Sequence, residues 1–225
     1  MYLNIQAIVL RVTDYNDRDA LLTVLSRNHG KLTLKVRGLR RKNSPLIAPC
    51  QLLAFGEFTL FEYKGNYTIN EAHSIELFTP LRRDLTKLSL GTYFAQVAEL
   101  ISQSDMPNRE LLSLVLNCLF ALSGLGLSEN QVKAVFELRA ACLAGYTPDL
   151  TGCHNCGGEF PDRFDLSAGV LECQNCRDFS STGLRMPLTP GILSAMRYIV
   201  CCEAKALFRF ELNGESMERL SQITE

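Results

Sequence analysis

Apolar and polar residues alternate over much of the first eighty positions, as in β-strands that bury one face. At residues 31–37 leucine and valine face one side and basic residues face the other. The sequence predicts five strands, at 6–12, 21–25, 31–37, 58–63 and 67–78, with turn signals at 28–30 and 64–66. Since these segments leave no room for crossover helices, they favour a small closed barrel of the OB type over a parallel sheet.

Beyond Pro80 the apolar period becomes helical. Ser128 and Gln131 form a capping-box pattern, and Thr189 followed by proline is typical of a helix start. Helices are therefore predicted at 85–101, 109–122, 128–144, 190–200 and 215–225. The apolar run 111–127 is shorter than the ~20 residues that cross a bilayer, so we expect it in a soluble helical bundle.

Together these patterns predict an α+β chain with an OB-fold barrel at 1–80 and an α-helical domain at 81–225. Apolar residues make up 47% of the chain, which is enough for a substantial core. Residues 1–45 hold nine Lys and Arg against three Asp and Glu, a net charge of +6, whereas residues 46–225 hold 14 against 21, a net charge of −7. The N-terminal part should attract anions. No signal-peptide pattern is present at the N-terminus, so a cytosolic location is expected.

Four cysteines form two Cys-x-x-Cys pairs separated by sixteen residues: Cys153, Cys156, Cys173 and Cys176. This spacing predicts a structural Zn²⁺ site, one ion per chain, in a finger at about 151–184. Four thiolates fill the tetrahedron and leave no place for a catalytic water. A redox dithiol pair or reduced core cysteines are the alternatives. His154 could replace a ligand but is expected to be an exposed bystander, and the other five cysteines are expected in the core: Cys50, Cys118, Cys142, Cys201 and Cys202.

The basic face of the third strand continues into a basic loop, and together they could follow a phosphate backbone. The candidate DNA contacts are Lys31, Lys35, Arg37, Arg40, Arg41 and Lys42, with Arg11 as a further candidate. A merely solvated basic face is the alternative. Four aromatic residues could stack on bases, although most of them should belong to the barrel core: Phe58, Phe61, Tyr63 and Tyr67.

Sequence signatures of catalysis are missing: there is no Walker-type phosphate loop, no GxSxG elbow and no HExxH. Three acidic residues, Asp14, Asp17 and Asp19, could resemble a metal-binding cluster, but their spacing favours a polar turn between the first two strands. The sequence therefore predicts a protein that is not an enzyme.

Three segments carry a family resemblance: AIVLRVTDYNDRDALLTVLSRNHGKLTLKVRGLRRKNS, CHNCGG and FDLSAGVLECQNC. They resemble the bacterial recombination and repair family RecO. The resemblance implies an OB-fold, a helical domain with a zinc finger, and a non-enzymatic role in the bacterial cytosol at the nucleoid. Members bind single- and double-stranded DNA, anneal complementary strands, and act with RecR to load RecA onto DNA coated by single-stranded DNA-binding protein.

The resemblance also implies contact with the acidic, apolar tail of single-stranded DNA-binding protein. An apolar pocket of the helical domain, near basic residues such as Lys133, Arg139 or Arg197, would suit that tail. The rival hypothesis is a zinc-ribbon and OB-fold module that binds RNA or protein in transcription or RNA processing. No membrane association is expected.

Overall fold

A computed structural model describes residues 1–176 and 183–225. Contacts divide the chain into two compact units, Met1–Gly126 and Leu127–Glu225. The first unit contains β1 (Tyr2–Asp14), β2 (Ala20–Ser26), β3 (Gly30–Val36), β4 (Phe55–Tyr63), β5 (Asn66–Glu76), α1 (Leu85–Ile101) and α2 (Arg109–Gly124). A five-stranded barrel followed by helices confirms the predicted α+β class.

The barrel closes in the strand order β1-β2-β3-β5-β4, as in an OB-fold. β1 pairs antiparallel with β2 on one edge and with β4 on the other. β3 closes the barrel against β5 through a short parallel pairing that includes Leu34 and Tyr67. All five predicted strands are present. β1 begins earlier than predicted because residues 2–5, which include the polar Asn4, pair with β4.

Side-chain alternation on β3 follows the prediction. Leu32, Leu34 and Val36 are buried in the barrel core, whereas Thr33 on the other face is exposed. On β1, by contrast, the consecutive residues 7–10 are all buried. Ile8 and Leu10 are not part of the barrel-core cluster, and α1 contacts β1. The α1 side of this strand is therefore apolar as well.

The chain that follows α1 lies against the start of β3. The Lys31 amide N donates to the Gln103 carbonyl O at 3.2 Å, and Gly30 forms a bridge with Ser104. Gly30 has φ +66°, and a Cβ built on it would lie 2.2 Å from the Met106 carbonyl O. Only glycine satisfies both the backbone angle and this close approach.

Within its described residues the second unit combines three α-helices with a four-stranded sheet. Its elements are α3 (Glu129–Leu143), β6 (Asp149–Cys153), β7 (Arg163–Asp165), β8 (Val170–Glu172), β9 (Arg185–Pro187), α4 (Pro190–Cys201) and α5 (Gly214–Thr224). The sheet order is β6-β8-β7-β9. Within the described residues no helix is both long enough and apolar enough to cross a membrane.

Side-chain caps explain where these helices start. The Ser128 and Thr189 hydroxyl oxygens accept from the backbone N of Gln131 and Ile192, at 3.2 and 3.3 Å, which confirms both predicted starts. The Gln131 side chain, however, donates to the Phe210 carbonyl O at 3.2 Å. It links α3 to a distant segment of the same unit.

Two glycines with similar backbone angles test the approach of the 102–106 segment to β3. Gly65→Ala should cost about 1 kcal/mol, the penalty for a left-handed residue, because a Cβ at Gly65 (φ +76°) meets no atom within 4 Å. Gly30→Ala should cost about 3 kcal/mol, since it adds the clash with Met106. The measurement is the free energy of unfolding in urea. Equal losses for the two variants would contradict the close approach.

Candidate nucleic-acid interface and metal centre

An open groove of about 670 Å³ runs along the outside of the barrel. β2, β3 and the β4–β5 hairpin line it, together with the start of the β1–β2 connection and with Ser104 and Asp105, which follow α1. Its basic and aromatic lining consists of Lys31, Lys35, Arg37, Tyr15, Phe61, Tyr63 and Tyr67. OB-folds bind oligonucleotides on this same face, over strands 2 and 3 and beside these two loops.

Two of the predicted cations line the groove without an ion pair to any described residue. Lys35 Nζ lies 4.6 Å from the centroid of the Tyr15 ring, a cation–π contact that joins a charge to an aromatic face. Arg37 is exposed and forms no ion pair with any described residue. A strand passing through the groove would therefore meet an ammonium and a guanidinium that form no ion pair with a described carboxylate, with the carboxylate of Asp105 also in the lining.

The acidic turn between β1 and β2 supports the basic loop. The Asp19 carboxylate accepts from the Gly38 backbone N at 2.9 Å. This hydrogen bond, a second one from Asn16, and the charges of Lys35 and Arg37 lower the pKa of Asp19. The Asn16 side-chain oxygen also accepts from the backbone N of Arg18 at 3.0 Å and of Asp19 at 2.7 Å. These bonds confirm the predicted polar turn.

Three of the predicted cations contact the protein itself. Arg11 pairs with the Glu99 carboxylate of α1 at 2.9 Å, and Lys31 Nζ donates to the Glu99 carbonyl O at 2.8 Å. Arg40 forms an ion pair with Asp14. These contacts fix α1 and the loop to the barrel. Lys31 still lines the groove, and its ammonium has two further donors.

The last two predicted cations, Arg41 and Lys42, are exposed on the loop between β3 and β4. They border a hollow whose apolar lining includes Val12, Leu39 and Ile47. They also line a second hollow that Arg37 shares. The loop thus continues the cationic surface of β3.

The aromatic candidates separate into core and surface residues. Phe58 is 1% exposed and belongs to the barrel core, as expected for most of these aromatic residues, so it cannot stack on a base. Phe61 is 43% exposed and Tyr63 61% exposed, and both line the groove; Tyr67 is partly buried against the core. Tyr15, 55% exposed, was not predicted. A single aromatic residue within the polar sequence DYNDRD is the signal that could have identified it.

The four predicted metal ligands lie together in the second unit. Their sulfur atoms are all within 4.8 Å of one another, and Cys156 Sγ lies 3.8 Å from Cys173 Sγ. Zinc–sulfur bonds of about 2.3 Å in a tetrahedron place sulfur atoms about 3.8 Å apart. The cluster therefore fits a metal ion of the size and preference of Zn²⁺. His154 is exposed and lies outside the cluster.

Backbone amides partly compensate thiolate charge in the cluster. Burial raises the pKa of Cys153, but amides including those of Cys156, Asn155 and Cys173 outweigh it and lower that pKa to about 6. Hydrogen bonds with Cys156 and Cys173 raise the pKa of Cys176 to about 12. Four thiolates this close repel one another unless a cation lies between them, which is the charge a bound metal ion supplies.

A buried ion network supports the sheet that carries the cysteines. Arg185 Nε donates to the Glu172 carboxylate at 2.7 Å, and Arg185 also pairs with Asp165 at 3.7 Å. Both acids are less than a tenth exposed. Removing the arginine would leave two buried carboxylates, a strongly destabilising change.

Residues 177–182 of the predicted finger lie outside the described residues.

The remaining cysteines only partly match the prediction. Cys50 and Cys118 are buried; burial raises the pKa of the Cys50 thiol to about 12 and raises that of Cys118 as well. Cys142 and Cys202 are half-buried, and Cys201 is exposed, so the core assignment of Cys201 is wrong. Its position in the last turn of α4, on the face opposite the buried Ile199, explains the exposure.

The basic residues suggested for a tail pocket are all engaged within the second unit. Arg139 donates to the Val200 carbonyl O at 2.6 Å, near the end of α4. Arg197 donates to the Leu150 carbonyl O at 2.7 Å, and Lys133 pairs with Glu225 at 2.9 Å. These side chains hold helices and strands together.

The cysteine cluster can be tested by metal content and stability. Cys153→Ser should abolish stoichiometric zinc and lower the free energy of unfolding by several kcal/mol, because metal binding energy is also folding energy. Cys201→Ser, which removes an exposed thiol outside the cluster, should change neither quantity. The measurements are elemental analysis of the purified protein and urea unfolding. Parent protein without zinc, with four freely reactive thiols, would contradict the site.

Comparisons with known proteins match both parts of the chain. The family model described as "Recombination protein O N terminal" matches residues 1–78, and "Recombination protein O C terminal" matches residues 82–225. A relative from Acetivibrio thermocellus named "DNA repair protein RecO" is 32% identical, with 100% of this chain and 89% of the relative covered. A relative of the same name from Heliobacterium modesticaldum is 30% identical, with 97% of this chain and 81% of the relative covered. Another, from Bacillus pumilus, is 27% identical, with 99% of this chain and 86% of the relative covered. The chain belongs to the RecO family.

Proposed function

We propose that this protein is a DNA repair and recombination mediator that binds single- and double-stranded DNA through its barrel and anneals complementary strands. With RecR it helps load RecA onto DNA coated by single-stranded DNA-binding protein. The observation that carries the proposal is the groove in which the unpaired cations Lys35 and Arg37 lie among exposed aromatic rings. Membership of a family whose relatives are named DNA repair proteins favours this function over the RNA- or protein-binding alternative.

Groove chemistry suits binding without sequence preference. Lys35 and Arg37 would contact phosphates, which are the same in every sequence. Tyr15, Phe61 and Tyr63 present ring faces on which any base can stack. Arg41 and Lys42 would extend the phosphate contacts along the loop. The backbone of a duplex could lie along this loop. Lys31, Arg11 and Arg40 would contribute to the same cationic field while holding their protein partners.

Annealing follows from this mode of binding. A strand held by its phosphates and by the faces of its bases keeps the hydrogen-bonding edges of those bases free. Neutralised phosphates also repel a second strand less. The protein would therefore present a strand ready to pair, with no covalent step, which agrees with a role that is not enzymatic.

We assign DNA binding to an OB-fold domain at 1–80 and partner contacts to a helical domain at 81–225. One structural Zn²⁺ would be held by Cys153, Cys156, Cys173 and Cys176. It would supply the charge that keeps four thiolates together and so stabilise the sheet of the finger. RecR and the acidic tail of single-stranded DNA-binding protein are the proposed partners, in the bacterial cytosol at the nucleoid. Since Lys133, Arg139 and Arg197 are already engaged, the tail would have to use other cations or displace these contacts.

Salt dependence tests the groove cations. If Lys35, Arg37, Arg41 and Lys42 each meet one phosphate, log affinity for single-stranded DNA should fall with log salt at a slope of about −3. Lys35→Ala combined with Arg37→Ala should reduce the slope by about 1.4 and slow annealing of complementary strands. Fluorescence anisotropy across a salt series measures the slope.

A matched control removes a surface charge outside the groove. Arg83→Ala, at an exposed position, should leave both the slope and annealing unchanged. Tyr63→Ala should weaken binding by about 1–3 kcal/mol without changing the slope, since stacking releases no counterions. A folded double variant that binds and anneals like the parent at every salt concentration would place the DNA site elsewhere. Parent protein that failed to anneal DNA would favour the RNA- or protein-binding alternative.

A further inference from the structure

A second polar hollow, of about 540 Å³, opens on the barrel and shares no lining residue with the groove. It lies over β1, β4, β5 and the start of α2, whereas the groove lies over β2, β3 and the β4–β5 hairpin. Its lining includes Asn4, Gln6, Arg27, Glu57, His73 and Arg109. None of these residues belongs to the cations predicted from the basic strand and loop.

Strand register explains why these polar side chains meet. Gln6 on β1 pairs with Glu57 on β4, and Glu57 pairs with His73 on β5. The Arg27 backbone N donates to the Gln6 carbonyl O at 3.1 Å, which places Arg27 beside the same row. Residues directly opposite one another on neighbouring strands point to the same face. A polar row therefore crosses the outer surface of the barrel.

Two arginines provide the charge of this hollow. Arg109 is held by Asn28, whose side-chain oxygen accepts from Arg109 Nη2 at 2.9 Å, and Asn28 adjoins Arg27 in the chain. Both guanidinium groups are exposed, and neither forms an ion pair with a described residue. Arginine guanidinium groups and the side-chain amides of asparagine and glutamine are among the groups with which proteins contact phosphodiesters.

The carboxylate of Glu57 limits the strength of the site but does not close it. Glu57 accepts from Gln6 Nε2 at 2.8 Å and so already has a donor of its own. Its two arginines and its glutamate give the hollow two positive charges and one negative charge. The hollow should therefore bind a phosphate backbone more weakly than the groove does. Weaker binding would let the bound strand dissociate and be replaced by another strand.

We propose that this hollow binds the phosphate backbone of a second nucleic-acid strand while the groove holds the first. The inference rests on the proposed DNA-binding function and adds a second site to it. Two strands on separate faces of one small barrel would be kept close together without competing for the same cations. The protein would then raise the local concentration of the two strands for each other, which is how it would accelerate annealing.

Binding stoichiometry tests the proposal directly. The probe is an oligonucleotide of about eight thymidines, a length within the span of one OB barrel. Titration calorimetry of the full-length chain at low salt should give two oligonucleotides per chain, one tighter than the other. The double variant Arg27→Gln with Arg109→Gln should bind one oligonucleotide per chain, with an affinity within about twofold of that of the tighter site of the parent. Annealing of complementary strands should slow about tenfold.

The control double variant, Arg83→Gln with Arg209→Gln, removes the same charge at exposed positions outside both sites and should still bind two. Unfolding in urea checks that the Arg27 and Arg109 variant remains folded. One oligonucleotide per parent chain, or two per variant chain, would overturn the second site. Loss of both binding events in a folded variant would also overturn it, because the arginines would then belong to the first site. Failure of the DNA-binding function itself would appear differently, as a parent that binds no oligonucleotide.

Discussion

β1 is hydrogen-bonded along both edges, to β2 and to β4, and so joins the β2–β3 and β4–β5 pairs into one sheet that can close into a barrel. The junction that closes the barrel, between β3 and β5, is short, with Leu34 opposite Tyr67 and Lys35 opposite Thr68. Lys35, Tyr67 and Thr68 of this junction also line the groove. The groove therefore exists only while the barrel is closed, and an open sheet would expose unpaired strand edges instead.

Glu99, near the end of α1, explains why some of the barrel's basic side chains are engaged within the protein while others are not. Its carboxylate pairs with Arg11, and its carbonyl O accepts from Lys31. A partly exposed ion pair of this kind contributes only about 0–1 kcal/mol. The same contacts nevertheless determine which cations are held by protein groups and which have no ion pair with a described residue. Lys35 near the end of β3 and Arg37 just after it form no hydrogen bond or ion pair with α1 and remain available to a ligand.

Local patterns in the sequence predicted most of the fold. Alternation identified β3, caps at Ser128 and Thr189 identified two helix starts, and the cysteine spacing identified a cluster that can hold a metal ion. What the sequence could not provide depends on contacts between distant residues. The pairing of Arg40 with Asp14 and the row from Arg27 to His73 arise only when strands align in register. The exposure of Tyr15 likewise depends on how one turn lies beside β3.

The metal cluster and the groove depend on different parts of the chain. Every residue that lines the groove lies within Met1–Gly126, whereas the four clustered cysteines and the ion network of Arg185 lie within Leu127–Glu225. The groove depends on closure of the barrel. The metal cluster depends on compensation of the thiolate charge. A metal ion bound by the cysteines would help to keep folded a small sheet whose buried apolar residues include Leu150, Phe164 and Leu171.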